Sequence, residues 1–106
     1  MAQVREYQTP NGKSPFEVWF DGLEARAAAR VRRTIDKIER GLKPDVKPVG
    51  EGVFEARIDY GPGYRVYFGL DGDEVVILVG GGAKAGQSRD IAAAQARWAD
   101  YKKRKR

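Results

Sequence analysis

Val53-Phe54-Glu55-Ala56-Arg57-Ile58-Asp59-Tyr60-Gly61-Pro62-Gly63-Tyr64-Arg65-Val66-Tyr67-Phe68-Gly69-Leu70-Asp71-Gly72-Asp73-Glu74-Val75-Val76-Ile77-Leu78-Val79 is the stretch on which the fold turns. Residues 53–59 and 64–70 read as strands flanking the turn Tyr60-Gly61-Pro62-Gly63. Asp71-Gly72 is a type I′ hairpin signal leading into a third strand over 74–79. Side chains alternate between faces along a strand. The predicted core face is therefore Phe54, Ala56 and Ile58, then Tyr64, Val66, Phe68 and Leu70, then Val75, Ile77 and Val79. Closing the first hairpin at Tyr60 and Tyr64 sets Ile58 opposite Val66, Arg57 opposite Tyr67 and Asp59 opposite Arg65. Closing the second at Leu70 and Asp73 sets Val66 opposite Ile77, and both registers keep that face apolar.

The other face then carries Glu55, Arg57, Asp59, Arg65 and Tyr67, and Arg65 is expected to be replaceable without loss of the fold. Cross-strand neighbours lie within about 5 Å at Cβ. Two guanidiniums and a phenol in one patch suit a phosphodiester: arginine's fork of donors matches phosphate oxygens and can stabilise added charge in a transition state. Tyr67 is placed to stack on a base or to bond a phosphate. The same spacing equally fits ordinary surface ion pairs, Asp59 with Arg65 and Glu55 with Arg57.

Upstream, residues 4–8 form a short strand candidate, and Thr9-Pro10-Asn11-Gly12 is a turn signal. Ser14-Pro15-Phe16-Glu17 reads as a capping box with proline at the first helical position. Phe16, Trp19, Phe20 and Leu23 follow at helical spacing, with a break at Gly22. A second helix runs from about 24 to 40. Its apolar stripe is Ala28, Val31, Ile35, Ile38 and Leu42, and Arg26, Arg30, Arg33, Lys37 and Arg40 lie roughly opposite. Residues 43–51, with two prolines and a glycine, read as a loop. Downstream, residues 80–86 read as a flexible glycine loop without the spacing of a Walker motif. Ser88 is the expected cap of a last helix whose inner face is Ile91, Ala94, Gln95, Trp98 and Tyr101. Lys84, Gln87 and Arg89 stand at that helix's start, where free amides favour an anion. The predicted fold class is α+β: one domain over 1–106, ordered β-α-α-β-β-β-α, an antiparallel sheet with helices packed on one face.

The 106 residues contain no cysteine and no histidine. Disulfides and thiolate metal sites are excluded, and the usual neutral-pH base and commonest metal ligand are missing. No metal and no cofactor is expected. No apolar run approaches the ~20 residues of a membrane span, and the N-terminus lacks a secretory pattern, so the expected location is cytoplasmic. Net charge is +5, and residues 102–106, Lys-Lys-Arg-Lys-Arg, supply all of it. That tail reads either as a solvated end or as a flexible phosphate-binding arm.

The run from Asp45 to Phe68, with Gly81-Gly82-Ala83-Lys84-Ala85-Gly86-Gln87-Ser88-Arg89-Asp90-Ile91, the Ser14-Pro15-Phe16 start and the Trp98…Tyr101-Lys102 end, resembles HigB-like addiction-module killer proteins of the RelE/ParE toxin superfamily. The resemblance covers nearly the whole chain. It implies a type II toxin neutralised by a cognate antitoxin, often a helix-turn-helix protein, and a ribosome-dependent, metal-free mRNA endoribonuclease. In that chemistry a 2′-hydroxyl attacks the adjacent phosphate and leaves a 2′,3′-cyclic phosphate and a 5′-hydroxyl. The resemblance maps a strand arginine onto Arg65, a basic residue of the preceding strand near Arg57, and one of the loop near Lys84. The tyrosine of RelE's last helix falls at Ile91, and site histidines of HigB relatives have no counterpart. The catalytic set is thus Arg57, Arg65, Tyr67 and Lys84, with Tyr67 or Lys84 as the candidate base. Lys47, Gln87, Arg89, Lys102, Lys103 and Arg104 make up the RNA- and ribosome-binding set. ParE-like inhibition of DNA gyrase and a non-catalytic antitoxin-binding module remain open as alternatives.

Overall fold

The computed structural model describes residues 2–42 and 44–105. Its strands are β1 (Gln3–Glu6), β2 (Val46–Pro48), β3 (Val53–Ile58), β4 (Tyr64–Asp71) and β5 (Val75–Ala83); its helices are α1 (Pro15–Asp21), α2 (Ala25–Glu39) and α3 (Gln87–Lys105). The class is α+β, a five-stranded sheet with three helices, in the order β1-β5-β4-β3-β2.

Local signals account for most boundaries. Ser14 caps α1 by accepting from the Glu17 amide at 3.1 Å, with Pro15 next in line. Its hydroxyl also donates to Glu6 at 2.6 Å, which ties the helix start to β1. Glu24 caps α2 through its own carboxylate, which accepts from the Ala27 amide.

Three features of the predicted architecture are corrected. The sheet is mixed rather than antiparallel, because β1 runs parallel to β5. The α1–α2 pair carries the chain across the sheet from that edge to β2 at the other. The short strand β2 was itself expected to be loop. Nor do the helices share one face. Phe16, Val31 and Ile38 from α1 and α2 pack with Ala56, Ile58, Val66, Phe68, Val76 and Leu78. Ala94 and Trp98 from α3 pack with Val53, Tyr67, Ile77 and Val79 on the opposite face.

The β4–β5 register explains the error. Phe68 pairs with Leu78 and Leu70 with Val76, where Val66 had been set opposite Ile77. That is an odd shift, and it turns Val76 and Leu78 toward α2 while Ile77 and Val79 face α3. The β3–β4 register slips by two residues, so its faces survive: Ile58 pairs with Tyr64 across a longer turn.

Nor are residues 80–83 a flexible loop. They continue β5 past a bulge. A side chain on Gly81 would meet the Trp19 ring from one face, and one on Gly82 would meet the Asp90 carboxylate from the other. Glycine here permits two helices to press on a central strand. The last helix starts at Gln87 after a 3₁₀ turn (Lys84–Gly86), which puts Ser88 inside it rather than at its cap.

Candidate active site

Because α3 covers the polar face of β3 and β4, most of that face is interior. Glu55 and Tyr67 have no solvent exposure, and Arg65 has 7%. Burying a carboxylate is costly unless it is paired, and Glu55 sits at the centre of a network. Its Oε1 lies 3.5 Å from Arg65 Nη1 and 4.0 Å from Lys47 Nζ, and its Oε2 accepts from Gln87 Nε2 at 2.8 Å. One carboxylate thereby links β2, β3, β4 and the first turn of α3.

The register sets Arg57 directly opposite Arg65 on the adjacent strand. Like charges in that relation repel, and each has its own counter-charge. Arg65 turns inward to Glu55. Arg57 turns outward to Asp45, with Nε–Oδ2 at 3.1 Å and Nη2–Oδ1 at 3.3 Å. A cleft opens at this point, lined by Asp45, Arg57, Asp59, Tyr64, Arg65 and Lys84. Lys84 is exposed and also borders a second hollow formed by residues 84–89 at the start of α3. That hollow has the backbone amides and the dipole end that favour an anion.

Three of the four expected catalytic residues, Arg57, Arg65 and Lys84, therefore meet at one cleft. The fourth, Tyr67, lies beneath it. Expected at the surface, it is enclosed by α3 and cannot stack on a base. Burial, and then the charge of Glu55, push its phenol well above the ordinary value of 10.0, so it stays protonated. Its hydroxyl and Arg65 Nε are buried without a hydrogen-bond partner among the described residues.

The expected binding residues divide into two groups. Lys47 and Gln87 are engaged with Glu55, and Arg89 lines the hollow of residues 84–89. Lys102, Lys103 and Arg104 lie at the far end of α3, roughly 23–26 Å from Gln87 at 1.5 Å per residue.

The tail is not a free arm through residue 105. Lys102 lies 5.7 Å over the Trp98 ring. Arg104 bonds Asp100 at 2.9 Å and the Gln8 carbonyl, and Lys105 pairs with Asp71. Asp100 and Asp71, already anchored by Tyr7 and Tyr101, hold this last turn down; Arg106 lies outside the described residues. Sequence reasoning missed Asp45 as the partner of Arg57 and Glu55 as the hub. A signal for the hub existed: the unbroken apolar run of residues 75–79 is what a strand buried on both faces looks like.

Residues 18–99 match the family described as phage derived protein Gp49-like (DUF891). The chain is also similar to an uncharacterized protein of Haemophilus influenzae, 42% identical over 77 residues, which covers 72% of this chain and 78% of that protein.

Proposed function

The chain belongs to the Gp49-like family of phage-derived proteins, and on that premise we propose that it is the toxin of a toxin–antitoxin pair, cleaving mRNA on the ribosome without a metal. The observation that carries this reading is the opposition of Arg57 and Arg65 across β3 and β4, with Lys84 on the same cleft. Strand pairing disfavours two arginines side by side. A phosphodiester that becomes doubly charged in its transition state accounts for them.

In this account the scissile phosphate sits in the cleft. Arg57 exchanges Asp45 for a phosphate oxygen, and Arg65, braced by Glu55, offers its remaining donors. The 2′-hydroxyl oxygen attacks phosphorus and gives up its proton to solvent, the bond to the 5′-oxygen breaks, and the departing 5′-oxygen takes a proton from the Lys84 ammonium, which regains one from solvent. Tyr67, protonated and enclosed, supports Arg65 from below rather than acting as the base. Lys84 at the open rim is the residue left to exchange protons and to hold the phosphate. The antitoxin, the ribosome and mRNA are the partners of this reading. A ParE-like gyrase inhibitor has no need of the cationic cleft.

The test is to express the chain in cells and map mRNA 5′ ends with translation active and with it blocked. Discrete new ends that vanish when translation stops, or when Arg57→Ala is introduced, support the reading. Intact mRNA with altered plasmid supercoiling transfers the chain to the gyrase class.

A further inference from the structure

Arg57 stands between two neighbours of opposite sign. On β4 it faces Arg65. On its other side the β2–β3 ladder pairs Val46 with Ala56, and the Arg57 amide extends that ladder by one step, donating to the Asp45 carbonyl at 2.8 Å. The backbone thereby holds Asp45 opposite Arg57, where cross-strand side chains meet. The guanidinium donates to both carboxylate oxygens, from Nε at 3.1 Å and from Nη2 at 3.3 Å. Arginine grips a phosphate with the same fork. Asp45 thus occupies the donors that a phosphodiester needs.

The charges of the cleft act in the same direction. Its wall sets Arg57, Arg65 and Lys84 against Asp45 and Asp59, and Glu55 beneath the wall matches Arg65, so three cations meet three carboxylates. Lys47, which also approaches Glu55, is not on that wall. The cleft as folded therefore exerts little net pull on a phosphate arriving from solution. The Arg57–Asp45 pair is nevertheless easy to part. Its side chains are 44% and 62% exposed, and exposed ion pairs are weak and screened by salt. A phosphate set between Arg57 and Arg65 takes over the role of Asp45 and also relieves the repulsion of the two guanidiniums.

We infer that Asp45 is a specificity-determining residue: a carboxylate latch on Arg57 that disfavours free RNA and gives way to a strand held in place by a larger particle. It acts through Arg57 and touches no reacting atom. The inference rests on the reading of the cleft as a phosphodiester site, and it supplies a physical reason for that site to depend on the ribosome. A strand fixed beside the cleft presents its phosphate at an effective concentration in the millimolar range or above. That displaces a weak ion pair, whereas dilute free RNA leaves the latch closed.

The binding probe is a short single-stranded RNA with 2′-O-methyl groups throughout, which lacks the attacking hydroxyl and cannot be cut. It is titrated with the full chain and followed by fluorescence anisotropy. Asp45→Asn removes the charge, keeps the shape and leaves the backbone bond to Arg57, so the melting temperature should hold. Affinity should rise roughly 3–30-fold over the wild type. In an Arg57→Ala background the same substitution should gain about 2-fold or less. With unmodified RNA, Asp45→Asn should cut the free strand faster than the wild type by a similar factor, and the gain on translating ribosomes should be smaller. Equal affinity of wild type and Asp45→Asn overturns the proposal. So does a gain that persists in full without Arg57, because it then reports loss of charge rather than release of a latch. Tighter binding that requires Arg57, without cleavage of any RNA, supports the latch and refutes the nuclease reading. Ribosomal cleavage that requires Arg57, with affinity indifferent to Asp45→Asn, refutes the latch and leaves that reading standing.

Discussion

Gly69→Ala tests whether α3 is seated on the sheet as closely as the fold requires. Gly69 lies in β4, and its φ is not in the left-handed region, so a methyl group meets no backbone strain. It does meet Trp98: an ideal Cβ would stand 2.5 Å from Cδ2 and Cε3 and 2.6 Å from Cζ3 of the indole. The ring cannot yield easily, because it is 95% buried, approaches Gly52 and stacks on Tyr101 at 5.3 Å. Overpacking of this kind costs about 1–3 kcal/mol, and the loss of a flexible glycine from the unfolded chain returns about 0.4–1 kcal/mol. The net destabilisation is about 1–2 kcal/mol, or roughly 4–8 °C in Tm. Replacing Trp98 by leucine removes the rigid ring, and in that background Gly69→Ala should be neutral or slightly stabilising, a coupling of about 1–3 kcal/mol. Urea unfolding of the four proteins, at unchanged m, measures it. If Gly69→Ala costs nothing with Trp98 present, or costs the same without it, α3 does not rest on β4 as described.

Arg65→Ala, expected from the sequence to spare the fold, should instead destabilise by about 3–5 kcal/mol, because it strands the buried Glu55 carboxylate; thermal unfolding decides it, and a stable variant refutes the network. Arg57→Ala, at a half-exposed position, should leave the melting temperature nearly unchanged and remove mRNA cleavage. Deleting residues 102–106 should lower thermal stability through loss of the Arg104 and Lys105 anchors, with urea unfolding as the check; unchanged stability would return the tail to the role of a solvated arm. Asp71 is held below its ordinary 3.8 by bonds from Lys105 and Tyr101, and Asp100 by Tyr7. A depressed carboxylate stabilises the fold above 3.8, and that contribution is lost as the pH falls through the folded value. Tyr7, Tyr67 and Tyr101 are raised above 10.0, chiefly by burial, so their contribution is present below pH 10 and fails above it. The pH profile of stability should be a plateau that falls at both ends, as followed by circular dichroism.

The helices and the β3–β4 hairpin were legible because their signals are local. Ser14-Pro15 caps, the 3.6-residue stripe of α2 and the alternation of Phe54, Ala56 and Ile58 need no knowledge of the rest of the chain. What failed was decided at a distance. Val76 and Leu78 belong to the α2 side because the hairpin closes at Asp71 and Val75 rather than at Leu70 and Asp73, an odd shift of β5, and alternation in an all-apolar run cannot show that. Gly80-Gly81-Gly82 reads as slack until Trp19 and Asp90 are seen against it. The same cause divides the site. Arg57, Arg65 and Lys84 were found by residue type and strand position. The burial of Tyr67, the hub role of Glu55 and the pairing of Arg57 with Asp45 all follow from where α3 and β2 lie, which no short stretch encodes.

Metal-free phosphodiester cleavage at the cleft of Arg57, Arg65 and Lys84 is the chemistry proposed for this chain. The most direct measurement incubates purified chain with translating ribosomes on a defined mRNA in excess chelator, and analyses the new 3′ ends by mass spectrometry. Fragments ending in 2′,3′-cyclic phosphate are expected from the wild type and should be absent with Arg57→Ala or Lys84→Ala of unchanged stability. Fragments formed equally by both variants, or no cleavage by a folded wild type, would contradict it.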